Sequence, residues 1–231
     1  MLKKVGIIGG IGPASTLDYY SGIIDGYRAQ VNDGNYPEMV IDSVNMTEML
    51  SYVERKDWNA LTEMMVGAIN QLKAAGAQLI AIASNTPHTV FDRIKMRSPL
   101  PLVSIVDATI VYAQAKGVKK AVVIGTRFTM RSGLYANAFS KFNIPTVTPS
   151  IIEQEEIHGI IFPKLEEGIV DLNDKNKLLA LANRLIFEHD ADALVLGCTE
   201  LPLMIKENDI DTLLINTTQI HIDAIVSAAI K

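Results

Sequence analysis

The chain has 231 residues, enough for one large domain or two small lobes with a substantial core. Its net charge of −5 argues against a nucleic-acid partner or an acidic membrane surface, and no apolar run approaches the roughly 18 residues of a membrane span. The single cysteine, Cys198, excludes an internal disulfide and a cysteine-rich metal site.

In chain order, short apolar runs alternate with longer helical patterns. MLKKVGIIGG opens with two lysines and an apolar run that breaks at Gly9 and Gly10, too short for a signal peptide. It reads as the first strand, Val5 to Gly9, of a cytoplasmic protein. A loop through Pro13 leads to a helix over Ala14 to Arg28. Met39 to Asn45 is a second strand. Trp58 to Ala75 is amphipathic, with Leu61, Met64, Met65, Ala68, Ile69 and Leu72 at helical spacing and Gly76 as its cap. Leu79 to Ala83 and Leu102 to Val106 are further strands, and Asp107 to Lys116 is a helix. Strands follow at Ala121 to Gly125, Pro145 to Ser150, Ala193 to Gly197 and Leu213 to Thr217. Helices lie near Met130 to Phe142, Glu153 to Glu167 and Asn173 to His189. Continuous apolar strands alternating with helices predict an α/β fold with parallel sheets covered on both faces.

The chain also repeats itself. KKVGIIGG at Lys3 and KKAVVIGT at Lys119 are offset by 116. LIAIASNT at Leu79 and ALVLGCTE at Ala193 are offset by 114, and LVSIVDAT and LLINTTQI by 111. Three pairs in the same order predict two pseudo-symmetric lobes, each a parallel sheet flanked by helices. We place the first lobe at 1–100 with 212–231 and the second at 101–211. Ser84 and Cys198 then become equivalent positions at the carboxyl ends of strands, where open α/β sheets bind ligands.

At a strand-to-helix turn, free N–H groups and the helix dipole favour an anion. Asn85, Thr86, Thr199 and Glu200 lie on two such turns, and Thr126 and Thr129 on a third. Hydroxyls, an amide and backbone N–H groups suit a small carboxylate. The same field would lower the pKa of Cys198 and favour its thiolate. Glycines in the loop after the first strand, Gly10 among them, permit close backbone approach. Each feature also has a structural explanation: glycines serve turns, Asn and Thr cap helices, and a buried cysteine acts as a small apolar residue. GGIGP does not fit GxGxxG, because Ser15 stands where the last glycine should be, and no GxxxxGK[ST] occurs. His88, His158, His189 and His221 are scattered without ligand spacing, so no metal is expected. His88 follows Ser84 by four residues and suits either an orienting or a capping role.

At these residues the sequence resembles the aspartate/glutamate racemase superfamily. GGIGP (Gly9 to Pro13) is similar to its GGMGP-type loop, SNTPH (Ser84 to His88) to CNTxH, GTRFT (Gly125 to Thr129) to GTxxT, and GCTE (Gly197 to Glu200) to GCTE. The matches run the length of the chain in order. The resemblance implies a cofactor-independent enzyme, a homodimer of two-lobed subunits, with an amino acid or carboxylate held in the cleft between the lobes. It places Gly10, Ile11, Asn85, Thr86, Thr126, Thr129, Thr199 and Glu200 around the substrate. It places two opposed acid–base roles at Ser84 and Cys198, the first of which is a cysteine in the family pattern.

That departure matters. A free thiol near pKa 8.5 is a few per cent thiolate at neutral pH, whereas an alcohol lies near bulk water. The gap, about six to seven units, is on the order of 9 kcal/mol. Ser84 therefore does not replace a thiolate as an equal base, but a neutral Ser84 can donate a proton or relay one from water. The expected site is asymmetric, with Cys198 abstracting the α-proton and Ser84 returning one, and with different rates in the two stereochemical directions. The family's aspartate-recognition segment with its arginine is absent; SVNMTEMLSYVERKDW (Ser43 to Trp58) stands there, and Arg55 suits a solvated helix end. Glu166 stands at the place of a family lysine, with Lys164 two residues away as a substitute for an acidic side chain. Two other activities fit the same residues: a decarboxylase resembling the arylmalonate decarboxylases, which keep only the second cysteine, and a non-catalytic carboxylate-binding protein.

Overall fold

The computed structural model describes residues 2–31 and 33–231. The chain folds as two compact units, Met1–Ile105 with His221–Lys231, and Val106–Ile220. Each unit is an α/β layer built on one four-stranded parallel sheet flanked by helices. No helix among the described residues is long and apolar enough to cross a membrane.

The first unit runs β1 (Val5–Gly9), α1 (Pro13–Val31), β2 (Met39–Ser43), α2 (Met46–Glu54), α3 (Trp58–Ala74), β3 (Leu79–Ile82), a 3-10 turn (Thr86–Val90), α4 (Phe91–Arg97) and β4 (Leu102–Val103). α5 (Ile105–Ala115) leads into the second unit. The sheet order is β2-β1-β3-β4, all parallel. β1 and β3 are wholly buried, which is why their sequences are continuous apolar runs rather than alternating ones. α3 buries Leu61, Met65, Ala68, Ile69 and Leu72, and Asp57 caps its first turn by accepting from Ala60 N–H.

The second unit continues with β5 (Ala121–Gly125), α6 (Arg127–Arg131), α7 (Leu134–Ser140), β6 (Thr146–Val147), α8 (Ile151–Ile160), a π-type turn (Ile161–Leu165), α9 (Leu172–His189), β7 (Ala193–Gly197), α10 (Leu201–Met204), a 3-10 turn (Glu207–Asp209) and β8 (Leu213–Asn216). Its order, β6-β5-β7-β8, repeats that of the first sheet. α11 (Thr217–Ile230) follows, and its C-terminal half packs Ile222, Ile225, Val226 and Ala229 into the core of the first unit. In each sheet the connections leave the two central strands in opposite directions, which opens a crevice at their carboxyl ends.

Several elements differ from the sequence expectation. Leu102 to Val106 is a two-residue strand that turns into α5 at Ile105, because a short apolar run fits a buried helix as well as a strand. The helix expected over Met130 to Phe142 is broken into α6 and α7 at Gly133, whose φ of 70° ends one helix and starts the next. The helix expected from Glu153 to Glu167 starts at Ile151, capped by a reciprocal Ser150–Glu153 pair. It leaves α-helical geometry before Pro163, where Phe162 has φ −105° and ψ 134°. α11 has no counterpart among the elements expected from sequence; the helices expected after the Ser84 and Cys198 turns are the 3-10 turn with α4, and α10, and Arg55 stands at the end of α2.

Candidate active site

In the first unit, the loop after β1 and the turn after β3 are tied together. The buried Ser15 hydroxyl bonds Gly12 O at 3.0 Å and Ala83 O at 3.2 Å. Gly10 has φ 77°, and its N–H donates to Thr16 Oγ1 at 3.0 Å. A Cβ on Gly10 would meet Val44 O at 2.5 Å, so packing against the end of β2 already requires glycine there. Ile11, Ser84, Asn85 and Thr86 are all buried.

Behind Ser84 lies a fully buried polar chain. Ser84 O can only accept, so His88 carries its proton on Nδ1 and donates to it at 2.9 Å. His88 Nε2 is then the acceptor for Ile105 N–H at 3.3 Å, at the start of α5. By the same logic His221 donates from Nε2 to Val103 O at 3.0 Å and accepts the Tyr19 hydroxyl on Nδ1 at 2.7 Å. Burial pushes His88 down to about 3, helped by His221, and pushes His221 down to about 4. Both rings are therefore neutral, with both nitrogens engaged. His88 holds the Ser84 turn through its backbone carbonyl.

In the second unit, β5 and β7 are in register with Gly125 beside Gly197, which brings the GTRFT and GCTE turns together. A Cβ on Gly197 would lie 2.9 Å from Thr129 Cγ2 and 3.1 Å from Ile124 O, so no larger residue fits before Cys198. Thr126 caps α6: its Oγ1 lies 3.1 Å from Thr129 Oγ1 and accepts Thr129 N–H at 3.3 Å. Cys198 and Glu200 are only 4% and 2% exposed. The Cys198 thiol donates to Glu200 Oε2 at 2.9 Å, and the Thr199 hydroxyl donates to the same oxygen at 2.9 Å.

This arrangement reverses the expectation that the turn field lowers the Cys198 pKa. Burial, and then the Glu200 charge, push the thiol well above its usual value. The helix that follows is only Leu201–Met204, too short for a large dipole, and the nearest ionised group is a carboxylate rather than a cation. The resting group is a thiol whose proton already points at a base.

Two neighbours of Cys198 carry little or no sequence signal. The buried Tyr135 hydroxyl bonds Thr217 and Thr109, and Thr217 passes its own proton to Leu196 O at 2.7 Å, beneath the turn. Glu166, carried inward by the π-type turn, is pushed up to about 8 by burial and by the Glu200 charge. The sequence singles out Glu166 only as a departure at a lysine's place; the break at Pro163 that aims it is not visible as a pattern. Lys164 is more than half exposed, with its ammonium 3.7 Å from Asp171 and 3.7 Å from Asp174. Arg55 ends α2, with its guanidinium 5.6 Å from the centre of the Tyr52 ring.

Comparison with known proteins adds an independent line. Residues 8–225 match the family described as Asp/Glu/Hydantoin racemase. The chain is 29% identical to the broad specificity amino-acid racemase RacX of Bacillus subtilis (strain 168), over 85% of each chain. It is similar along the whole of both chains to an aspartate racemase homologue from Pyrococcus horikoshii OT3, with a TM-score of 0.87 at 35% identity. A Yersinia pestis structure assigned to the Asp/Glu racemases superposes with a TM-score of 0.90 at 30% identity, again over all of both chains.

Proposed function

The chain belongs to the Asp/Glu/Hydantoin racemase family, and from that premise we propose that it is a cofactor-independent amino-acid racemase using one thiol. The observation that carries the reading is the Cys198–Glu200 hydrogen bond in the GCTE turn, a buried acid–base group joined to its proton acceptor. In the proposed reaction the thiol proton passes to Glu200, and the Cys198 thiolate then takes the α-proton of the substrate. Breaking the Cα–H bond leaves its electron pair on Cα as a carbanion and remakes the S–H bond. Ser84 delivers a proton to the opposite face and is itself reprotonated from water, and Glu200 gives its proton to the hydroxide so formed, which restores the starting enzyme. Gly10, Ile11, Asn85, Thr86, Thr126, Thr129 and Thr199 are proposed to surround the substrate.

The name of the Bacillus subtilis relative favours a substrate class rather than a single amino acid. Lys164, offered by the resemblance for an acidic side chain, stands instead beside Asp171 and Asp174.

Because a racemase has an equilibrium constant of one, the two directions share one kcat/KM. The asymmetry must therefore appear in the fate of the carbanion. For the enantiomer whose α-hydrogen meets Cys198, exchange with retention outruns inversion, because the thiol, once its proton has exchanged with solvent, returns a deuteron faster than Ser84 supplies one. For the other enantiomer, exchange requires the slow face and accompanies inversion. Incubation of L- and D-amino acids in deuterated water, followed by proton NMR and chiral analysis, tests the reading. Release of carbon dioxide from an arylmalonate would assign a decarboxylase instead. Thermal stabilisation by amino acids without α-deuteration would assign a binding protein.

A further inference from the structure

We propose that Tyr135 is a positioning residue for Cys198, its ring and its hydroxyl together fixing the two residues that present the thiol to Glu200. The proposal rests on the racemase reading and names the side chain that holds the acid–base group in place.

Tyr135 is buried on α7 and reaches the GCTE turn in two ways. Its ring packs on the backbone. A Cβ on Gly197 would lie 3.4 Å from Tyr135 Cε2, 2.9 Å from Thr129 Cγ2 and 3.1 Å from Ile124 O, so the ring closes one side of a fitted seat for the glycine. Phe139, one helical turn on, steadies that ring edge to face with centroids 6.2 Å apart. The Tyr135 hydroxyl acts on the residue before. Thr217 Oγ1 donates its only proton to Leu196 O at 2.7 Å, so toward Tyr135 it accepts, and the tyrosine is the donor. Thr109 holds the same hydroxyl from α5. Cys198 is close enough for its charge to act on the Tyr135 hydroxyl.

Gly197 has no side chain to anchor the turn, and α10 after it is only four residues long. Packing from behind must therefore set where Cys198 points. The 2.9 Å bond from its thiol to Glu200 exists only while Leu196 and Gly197 keep their places. Without the tyrosine hydroxyl, the fully buried Thr217 oxygen loses that donor and its hold on Leu196 O loosens. The Ser84 turn belongs to the other unit and has its own support in His88. Loss of the Tyr135 hydroxyl should therefore slow one face of the carbanion alone.

The test removes the hydroxyl and keeps the ring. In Tyr135→Phe, kcat for the amino acids that the wild type deuterates should fall about tenfold, with KM within about twofold. From the enantiomer whose α-hydrogen meets Cys198, the ratio of α-deuteration to inversion should move toward one. Thr217→Val breaks the same chain and keeps the branched shape. It should match Tyr135→Phe, and the double variant should be no slower than either single change. Cys198 is the only cysteine, so alkylation by iodoacetamide against pH reads its titration directly. The midpoint in Tyr135→Phe should fall relative to wild type as the thiol draws away from the Glu200 charge. A Tyr135→Phe protein with wild-type kcat, or single effects that multiply in the double variant, would overturn the proposal. A slower Tyr135→Phe protein with an unchanged ratio and an unchanged midpoint would mark a merely structural residue and overturn it as well. A wild type that deuterates no amino acid would overturn the racemase reading. Alkylation would then decide the tyrosine alone, a lowered midpoint upholding its role and an unchanged one overturning it.

Discussion

The Ser84 turn and the Cys198 turn occupy the same place in two sheets of the same strand order, yet their surroundings are electrically opposite. Ser84 sits on a buried chain of neutral rings, His88, His221 and Tyr19, with both nitrogens of each imidazole committed. Cys198 sits among carboxylates, with Glu200 accepting its proton and Glu166 nearby. A duplicated backbone thus supplies two equivalent turns, and side chains behind each turn give one a rigid neutral support and the other a proton acceptor. Ser84 is held through its backbone by a neutral histidine, whereas the Cys198 thiol, its pKa raised by burial and the Glu200 charge, has its proton in a hydrogen bond to a carboxylate.

The sharpest way to break the contrast is to remove the thiol. Cys198→Ala should cut α-proton exchange by at least about 10³-fold with the protein still folded. Next, Glu200→Gln should cut exchange by roughly 10²-fold. The same change should lower the thiol pKa relative to wild type, because the nearby charge is gone. Thiolate absorbance and alkylation rate against pH would show both effects, and an unchanged exchange rate would remove Glu200 from the mechanism.

Acid should find the first turn. His88 and His221 bind protons more weakly folded, at about 3 and 4, than near 6.5 when unfolded. The unfolded chain takes up more protons in that window, so stability present above pH 6.5 is lost as pH falls through it. His221→Gln should lower stability at pH 7 yet flatten the loss between pH 6.5 and 4 by on the order of 2 kcal/mol in denaturant melts. An acid limb as steep as wild type would contradict the buried neutral assignment.

Alkali should find the second turn. Glu166 holds its proton up to about 8 when folded, against 4.5 for the ordinary carboxyl. The folded chain binds more protons in that window, so stability is greatest below it and declines as pH rises through about 8. Glu166→Gln should flatten that decline, gaining on the order of 1 kcal/mol over wild type near pH 8.5 and little at pH 5.

Much of the fold is legible in the residues themselves. Buried parallel strands write themselves as continuous apolar runs, so Val5–Gly9, Ala121–Gly125 and Ala193–Gly197 are readable to the residue. The repeat of IASNT and LGCTE puts Ser84 and Cys198 on equivalent turns. Local signals mislead where tertiary partners decide: Ile105 begins a helix with its N–H donating to a histidine distant in sequence. The charge state of Cys198 depends on which side chain its proton reaches and how short the next helix is, neither of which is a sequence period. Glu166 needs the break ahead of Pro163 to turn it inward.

If one thiol, paired with a serine, performs the inversion, the two faces of the carbanion are reprotonated at unequal rates. The most direct measurement is the ratio of α-deuteration to inversion, starting separately from each enantiomer, in wild type and Ser84→Cys. A ratio well above one from one enantiomer and near one from the other is expected in the wild type. Ser84→Cys should raise the inversion rate and bring the two ratios together. Equal ratios in the wild type, or a Ser84→Cys protein that leaves the larger ratio unchanged, would contradict the one-thiol mechanism.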